Sequence, residues 1–163
     1  MTMTTAKPYI LVVDDSSDGR EMLAEYLTFR GFSVVEAANG ESAIDLVHKR
    51  RPAVILMDLQ MPGIGGWGAT RQLKANPATK DIIVIALTAH ALAPDEAIAR
   101  QAGCDAFIAK PYDITAVADA MGEVLVRGRN GLVAVDQLNQ IQSQKRQKVR
   151  RDLGPAACEP YRP

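Results

Sequence analysis

The chain has 163 residues, 47% of them apolar and 23% charged, with no formal net charge. A chain of this size and composition builds a globular core without disulfide help, and no apolar run approaches the ~20 residues that cross a bilayer. The charge is unevenly spread: residues 1–126 carry 11 Lys/Arg against 16 Asp/Glu, a balance of −5, and residues 127–163 carry 8 against 3, a balance of +5.

YILVV (residues 9–13) reads as a strand with no polar interruption. Ser16 or Ser17 then caps a helix whose apolar stripe is Met22, Leu23, Tyr26 and Leu27, and Gly31 ends it. FSVVEA (32–37) is a second strand, followed by a helix of about ten residues from Glu41 that stops before Pro52. His48, near its end, is favourable to a helix C-terminus. AVILMD (53–58) is the third strand, and a helix over residues 66–75 ends at Asn76-Pro77. IIVIALTA (82–89) is the fourth strand. A short helix with Pro94 in its first turn ends at Gly103. DAFIA (105–109) is the fifth strand, and Asp113 caps a helix with Ile114, Val117, Met121, Val124 and Leu125 on one face.

The order is (βα)5. Strands this uniformly apolar suit a parallel sheet covered by helices on both faces, wound with right-handed crossovers. After Arg127 the pattern stops. Residues 128–163 are expected to form a basic, flexible C-terminal tail, in which 135–153 has too little to bury for more than a weak helix. The run KRQKVRR (145–151) has the charge to contact nucleic acid, an acidic partner or a membrane surface, or to stand as a solvated extension, which is the expectation. It has no interleaved aromatics for stacking on single strands, and a nucleic-acid partner is not expected. Cys104 and Cys158 show no metal spacing and fit a reducing compartment. The first residues, MTMTTAKPYILVVDD, lack the basic start and long apolar region of a signal peptide. A cytoplasmic protein is expected.

In doubly wound sheets functional groups gather at the carboxyl ends of the strands. There the order places Asp14 and Asp15 after strand 1, Asp58 after strand 3, Thr88 at strand 4, and Lys110-Pro111 after strand 5. Each alone is an ordinary cap or turn residue. Together they converge three carboxylates, a hydroxyl and an ammonium. Clustered carboxylates repel one another unless a cation is present. A hard divalent ion such as Mg²⁺, using one or two carboxylates and a phosphate oxygen, meets that need. A carboxylate is also a nucleophile for phosphoryl transfer.

The segments YILVVDDSSDGREML, AANGESAIDLV, VILMDLQMPGIGG, IIVIALTAHAL and AGCDAFIAKPYDI resemble the receiver domain of bacterial response regulators over about residues 7–127. The resemblance implies a flavodoxin-like (βα)5 fold with strand order 2-1-3-4-5. It implies Asp58 as phosphoacceptor, supplied by a histidine kinase or a histidine phosphotransfer protein, so that the chain catalyses its own phosphoryl transfer. It further implies Asp14, Asp15, Asp58 and the Gln60 main-chain carbonyl as Mg²⁺ ligands. Thr88 and Lys110 would hold the phosphoryl oxygens, and the Lys110–Pro111 bond would be cis. Phe107 would turn inward into space that Thr88 vacates, altering the surface of the fourth helix, fifth strand and fifth helix for a downstream protein. Gln60 and His90 would tune the phosphate lifetime. Either a monomer or a phosphorylation-dependent dimer is compatible with this. An alternative is the receiver portion of a larger hybrid kinase or DNA-binding regulator, with the basic tail as linker.

GIGGWG, with glycines at 63, 65 and 68, also fits a dinucleotide-binding pattern. In such a loop the glycines follow the strand directly, whereas here Asp58 to Pro62 intervene. The chain departs from many receivers at Gly65 and Gly68, which stand where an Asp and a Glu are common. Trp67 stands where a smaller apolar residue is common, as a core residue or part of a contact surface.

Overall fold

A computed structural model describes residues 6–89 and 93–153. Its five strands are β1 (Tyr9–Val13), β2 (Ser33–Ala37), β3 (Val54–Asp58), β4 (Ile83–Thr88) and β5 (Ala106–Ala109), all parallel in the order 2-1-3-4-5. Helices α1 (Ser17–Phe29), α2 (Gly40–Lys49), α3 (Gly65–Ala75), α4 (Ala93–Ala102) and α5 (Ile114–Arg127) connect and follow them. The (βα)5 order is the one expected from the apolar runs, and the flavodoxin-like strand order is the one the resemblance implied.

β1, β3 and β4 are buried at every position. Alternate residues feed opposite cores, as the two-residue period of a strand requires. Leu11, Val13, Ile55, Met57 and Val84 join Ala43, Val47, Ala69 and Leu73 under α2 and α3. Ile10, Val12, Leu56, Ile85 and Ile108 join Leu23, Leu27, Val117 and Met121 under α1 and α5. Trp67 is half-buried against the first core, and Met22, expected in the α1 stripe, is instead 57% exposed. Cys104 is buried, and burial pushes its thiol to about 11. The reactive thiolate is therefore scarce at neutral pH.

The caps are local chemistry. Ser16 accepts the Gly19 N–H at the start of α1, Asn39 accepts the Ser42 N–H before α2, and Asp113 accepts the Thr115 and Ala116 N–H groups before α5. Each satisfies donors that the first helical turn leaves unpaired.

The C-terminal region differs from expectation. A 3-10 turn (Gly128–Gly131) leads into α6 (Leu132–Leu153), a 22-residue helix rather than a loose extension. It packs on α5 and β5, and Val135 and Leu138 enter the same core as Ile108 and Val117. The apolar stripe is narrow because several inward positions are polar, and a count of apolar residues alone treats these as solvated. Neither α6 nor any other described helix is long and apolar enough to cross a membrane.

Because Leu138 is 4% exposed within the α5 core, Leu138→Ala should lower unfolding free energy by about 2–4 kcal/mol. Urea denaturation checks this, and an unchanged midpoint would mean that α6 is not part of the cooperative core.

Candidate functional site

The carboxyl ends of β1, β3, β4 and β5 form one small polar surface. Asp14 follows Val13 directly, and its N–H is held by the Ala37 carbonyl at 3.2 Å. Asp58 is the last residue of β3, in register with Leu87 of β4, and Thr88 ends β4 opposite Ala109 of β5. The Lys110 N–H donates to the Thr88 carbonyl at 2.7 Å, which fixes the lysine immediately beyond the strand. The Lys110–Pro111 peptide is cis.

Asp14, Asp58 and Thr88 are buried, at 3%, 6% and 6% exposure, while Asp15 is exposed. The Lys110 ammonium donates to Asp14 Oδ2 at 3.2 Å and to Asp58 Oδ2 at 3.3 Å. The other oxygen of each acid accepts a nearby main-chain N–H: Ser16 to Asp14 Oδ1 and Gln60 to Asp58 Oδ1, both at 2.9 Å. These bonds fix the orientation of both carboxylates. Oxygens of Asp14, Asp15 and Asp58 lie within 4.8 Å of one another. Three hard oxygen donors at this spacing fit a divalent ion such as Mg²⁺, which takes carboxylates and keeps waters.

The electrostatics agree with that fit. Burial pushes the Asp58 carboxyl above the ordinary carboxylate range. The Gln60 N–H and the Lys110 ammonium pull it back in part, and Asp14 adds repulsion. Burial alone would lower Lys110, but the charges of Asp58 and Asp14 outweigh it and hold the ammonium above its usual value. The site thus keeps a fixed ammonium beside an Asp58 carboxyl that burial makes harder to ionise.

The sequence-predicted residues Asp14, Asp15, Asp58, Thr88 and Lys110 are therefore brought together, with Gln60 two residues beyond Asp58. Phe107 sits apart, half-buried against the α2–α3 core and in register with Ala86 of β4. His90 lies outside the described residues. Beside the acids a cleft of about 470 Å³ is lined by Asp14, Ser16, Met22, Lys110, Pro111 and Tyr112.

Two contributors were missed by pattern reading. Arg20, one turn into α1, donates to the Asp14 carbonyl at 2.9 Å and to Glu36 at 3.2 Å, bracing the β1–α1 loop. The second is Gly66, absent from the 63-65-68 glycine pattern. A Cβ at Gly66 would stand 2.0 Å from the Asp58 carbonyl oxygen and 2.7 Å from Leu59 Cα. The start of α3 is thus pressed against the main chain that carries Asp58. Gly65, at φ +65°, supplies the left-handed turn just before this contact.

Comparison with known proteins follows the same outline. Residues 10–121 match the response regulator receiver domain model. The polar-differentiation response regulator DivK of Brucella anthropi is 35% identical over 105 residues, covering 64% of this chain and 85% of DivK. A crystal structure of a putative response regulator from Chloroflexus aurantiacus superposes with a TM-score of 0.68 at 30% identity, covering 74% of this chain and 100% of that one. A co-crystal structure joins the Saccharomyces cerevisiae histidine phosphotransfer signaling protein Ypd1 to the receiver domain of its downstream response regulator Ssk1. It matches with a TM-score of 0.67 at 26% identity, over 72% of this chain and 88% of that one. α6 lies beyond the matched family residues.

Gly66→Ala should cost about 1–3 kcal/mol, because the added methyl meets main chain that cannot yield like a flexible side chain. Thermal denaturation of this variant beside Gly68→Ala, whose Cβ would meet only the Ile64 side chain at 3.2 Å, checks it. Equal losses would count against the close approach.

Proposed function

The chain belongs to the response regulator receiver domain family, and on that premise we propose that Asp58 accepts a phosphoryl group from a histidine kinase or a histidine phosphotransfer protein. The observation that carries this reading is the single lysine poised between two oriented carboxylates, 3.2 Å from Asp14 and 3.3 Å from Asp58.

In the proposed step a carboxylate oxygen of Asp58 attacks the donor phosphorus. The phosphorus–nitrogen bond to the donor histidine breaks, and its electron pair returns to the imidazole. Asp58 is well placed because the Gln60 N–H orients one oxygen and burial keeps the other from full hydration. Lys110 neutralises charge on the transferring oxygens, and Thr88 donates its hydroxyl to one of them. Such donors act through placement and charge rather than covalent chemistry. Asp14, Asp15, Asp58 and the Gln60 carbonyl would hold Mg²⁺, which supplies further neutralisation of the phosphoryl charge. Gln60 and His90 are assigned the tuning of phosphate lifetime.

The output is assigned to protein–protein contact through α4, β5 and α5. Phosphorylation adds charge and acceptor oxygens at Asp58, draws Thr88 towards them, and lets Phe107 turn inward. This shifts a population between two packings. The Ypd1–Ssk1 pairing of a related receiver supports a phosphotransfer protein as one donor. The reading includes a cytoplasmic location.

Incubation with acetyl phosphate should add one phosphoryl group by intact mass in the presence of Mg²⁺ and none in EDTA. Asp58→Ala should remain unmodified, and an equal adduct on that variant would refute the assignment. Lys110→Met should slow the reaction on the order of 100-fold. Separately, Mg²⁺ should raise the melting temperature of the unphosphorylated chain by mass action. Asp14→Asn should abolish that rise, and an undiminished rise in this variant would place the ion elsewhere.

A further inference from the structure

β5 is an edge strand, and its outward main-chain groups need partners. Asn139 of α6 supplies them. Its Nδ2 donates to the Phe107 carbonyl at 2.7 Å, and its Oδ1 accepts the Ala109 N–H at 3.4 Å. A side-chain amide carries both donors and an acceptor, so it pairs with the strand edge much as another strand would. Farther along, Gln142 Oε1 accepts the Asp113 N–H at 3.2 Å, and Arg146 donates to the Pro111 carbonyl at 2.8 Å. Positions 139, 142 and 146 fall on one helical face. The four main-chain atoms they hold all lie within three residues of Lys110. This short segment is therefore held from two directions, by α6 on the outside and by Asp14 and Asp58 through the Lys110 ammonium.

The two ends of α6 are not equally anchored. At its start Arg129 pairs with Asp105 just before β5. A Cβ on Gly131 would lie 2.4 Å from the Glu123 carbonyl of α5, so the elbow is tightly seated. Beyond Gln142 every residue through Leu153 is exposed except Arg146, which is half-buried. The docking also carries a penalty, since Gln142 Nε2 is buried with no hydrogen-bond partner among the described residues. A buried unsatisfied donor opposes the contact that buries it.

We propose that α6 is a strap that holds residues 107–113 in their unphosphorylated position, and that phosphorylation of Asp58 loosens it and opens the β5–α5 face. This rests on the phosphoacceptor reading above. When Asp58 becomes an acyl phosphate, Lys110 exchanges a carboxylate oxygen for a phosphoryl oxygen and the segment carrying it moves. The Asn139 and Gln142 contacts, at 3.4 and 3.2 Å, have little length to spare. The carboxyl half of α6 then swings from its anchored elbow, and the edge of β5 is exposed to a downstream protein. Coupling is reciprocal, so weakening the strap favours phosphorylation.

Amide hydrogen exchange on the full chain, with and without acetyl phosphate and Mg²⁺, tests this when intact mass is read on the same samples. The expected result is a one-phosphoryl adduct with exchange over residues 106–113 and 135–146 faster by about tenfold, while β1 and β3 stay protected. Asn139→Ala should show faster exchange over 135–146 without phosphate and, at limiting acetyl phosphate, a ratio of phosphorylated to unphosphorylated chain about threefold to tenfold higher. Arg146→Ala, on the outer half of the helix, should move the same way by less and leaves the core untouched if the first variant fails to fold. A complete adduct with α6 exchange unchanged or slower overturns the strap and leaves the phosphoacceptor reading standing. A wild-type ratio of phosphorylated to unphosphorylated chain in both variants overturns it too. No adduct on Asp58 overturns both readings together.

Discussion

The bond pair from Lys110 to Asp14 and Asp58 is the contact around which the rest of the molecule is arranged. Two buried carboxylates at the ends of adjacent strands are costly neighbours, and desolvation makes Asp58 harder to ionise. A single ammonium from a third strand relieves both. It can do so only if β1, β3 and β5 end at the same level, and the parallel register of the sheet makes them do so. The same contact leaves the site unfinished. Among the described residues one ammonium faces three carboxylates, which leaves negative charge over, and the exposed Asp15 keeps that excess open to solvent. A site of this kind is receptive to a divalent ion, because the ion completes its charge balance, and a bound cation together with Lys110 can then face an anionic phosphoryl group. The proposed metal site thus answers a charge imbalance that the fold builds in.

How much of this was legible in the sequence depends on where each interaction's partner lies. The strands were readable because buried parallel strands must be continuously apolar, as in YILVV and VILMD. The cluster of Asp14, Asp58, Thr88 and Lys110 was readable because chain order alone assigns residues to strand ends. Caps were readable too, since Ser16 and Asp113 act on main chain two or three residues away. Gly66 was not. Its requirement is steric and arises only once the loop folds α3 back onto Asp58 and Leu59. Met22 was misplaced for a related reason: helical spacing brings it close to the buried face but does not decide the edge of the stripe.

α6 shows the same limit more sharply. Its apolar content is low, and pattern reading predicts a flexible tail. Yet the polar residues that dilute the stripe are the ones that hold the helix in place. Asn139, Gln142 and Arg146 find main-chain partners between 29 and 35 residues earlier in the chain. No periodicity announces a partner of that kind, because the matching surface is backbone and has no sequence signature. The helix is built to fit a strand edge, and a strand edge is the one part of a sheet that looks alike whatever its side chains are.

That fit has a consequence for the output face. In a (βα)5 sheet of this order β5 is one of only two edges, and it is the edge that carries Lys110 at its end. An uncovered edge of this sort invites pairing with other chains. Covering it with a helix hydrogen-bonded to the strand's own main chain suppresses that hazard. The same bonds tie the cover to the residues around Lys110, whose ammonium reaches Asp58. Protection and regulation therefore do not need separate devices here. A helix that reads the edge by backbone bonds must respond when the edge moves, and its basic outer half travels with it. The residues beyond the matched family span are thus where this chain's own behaviour is to be sought.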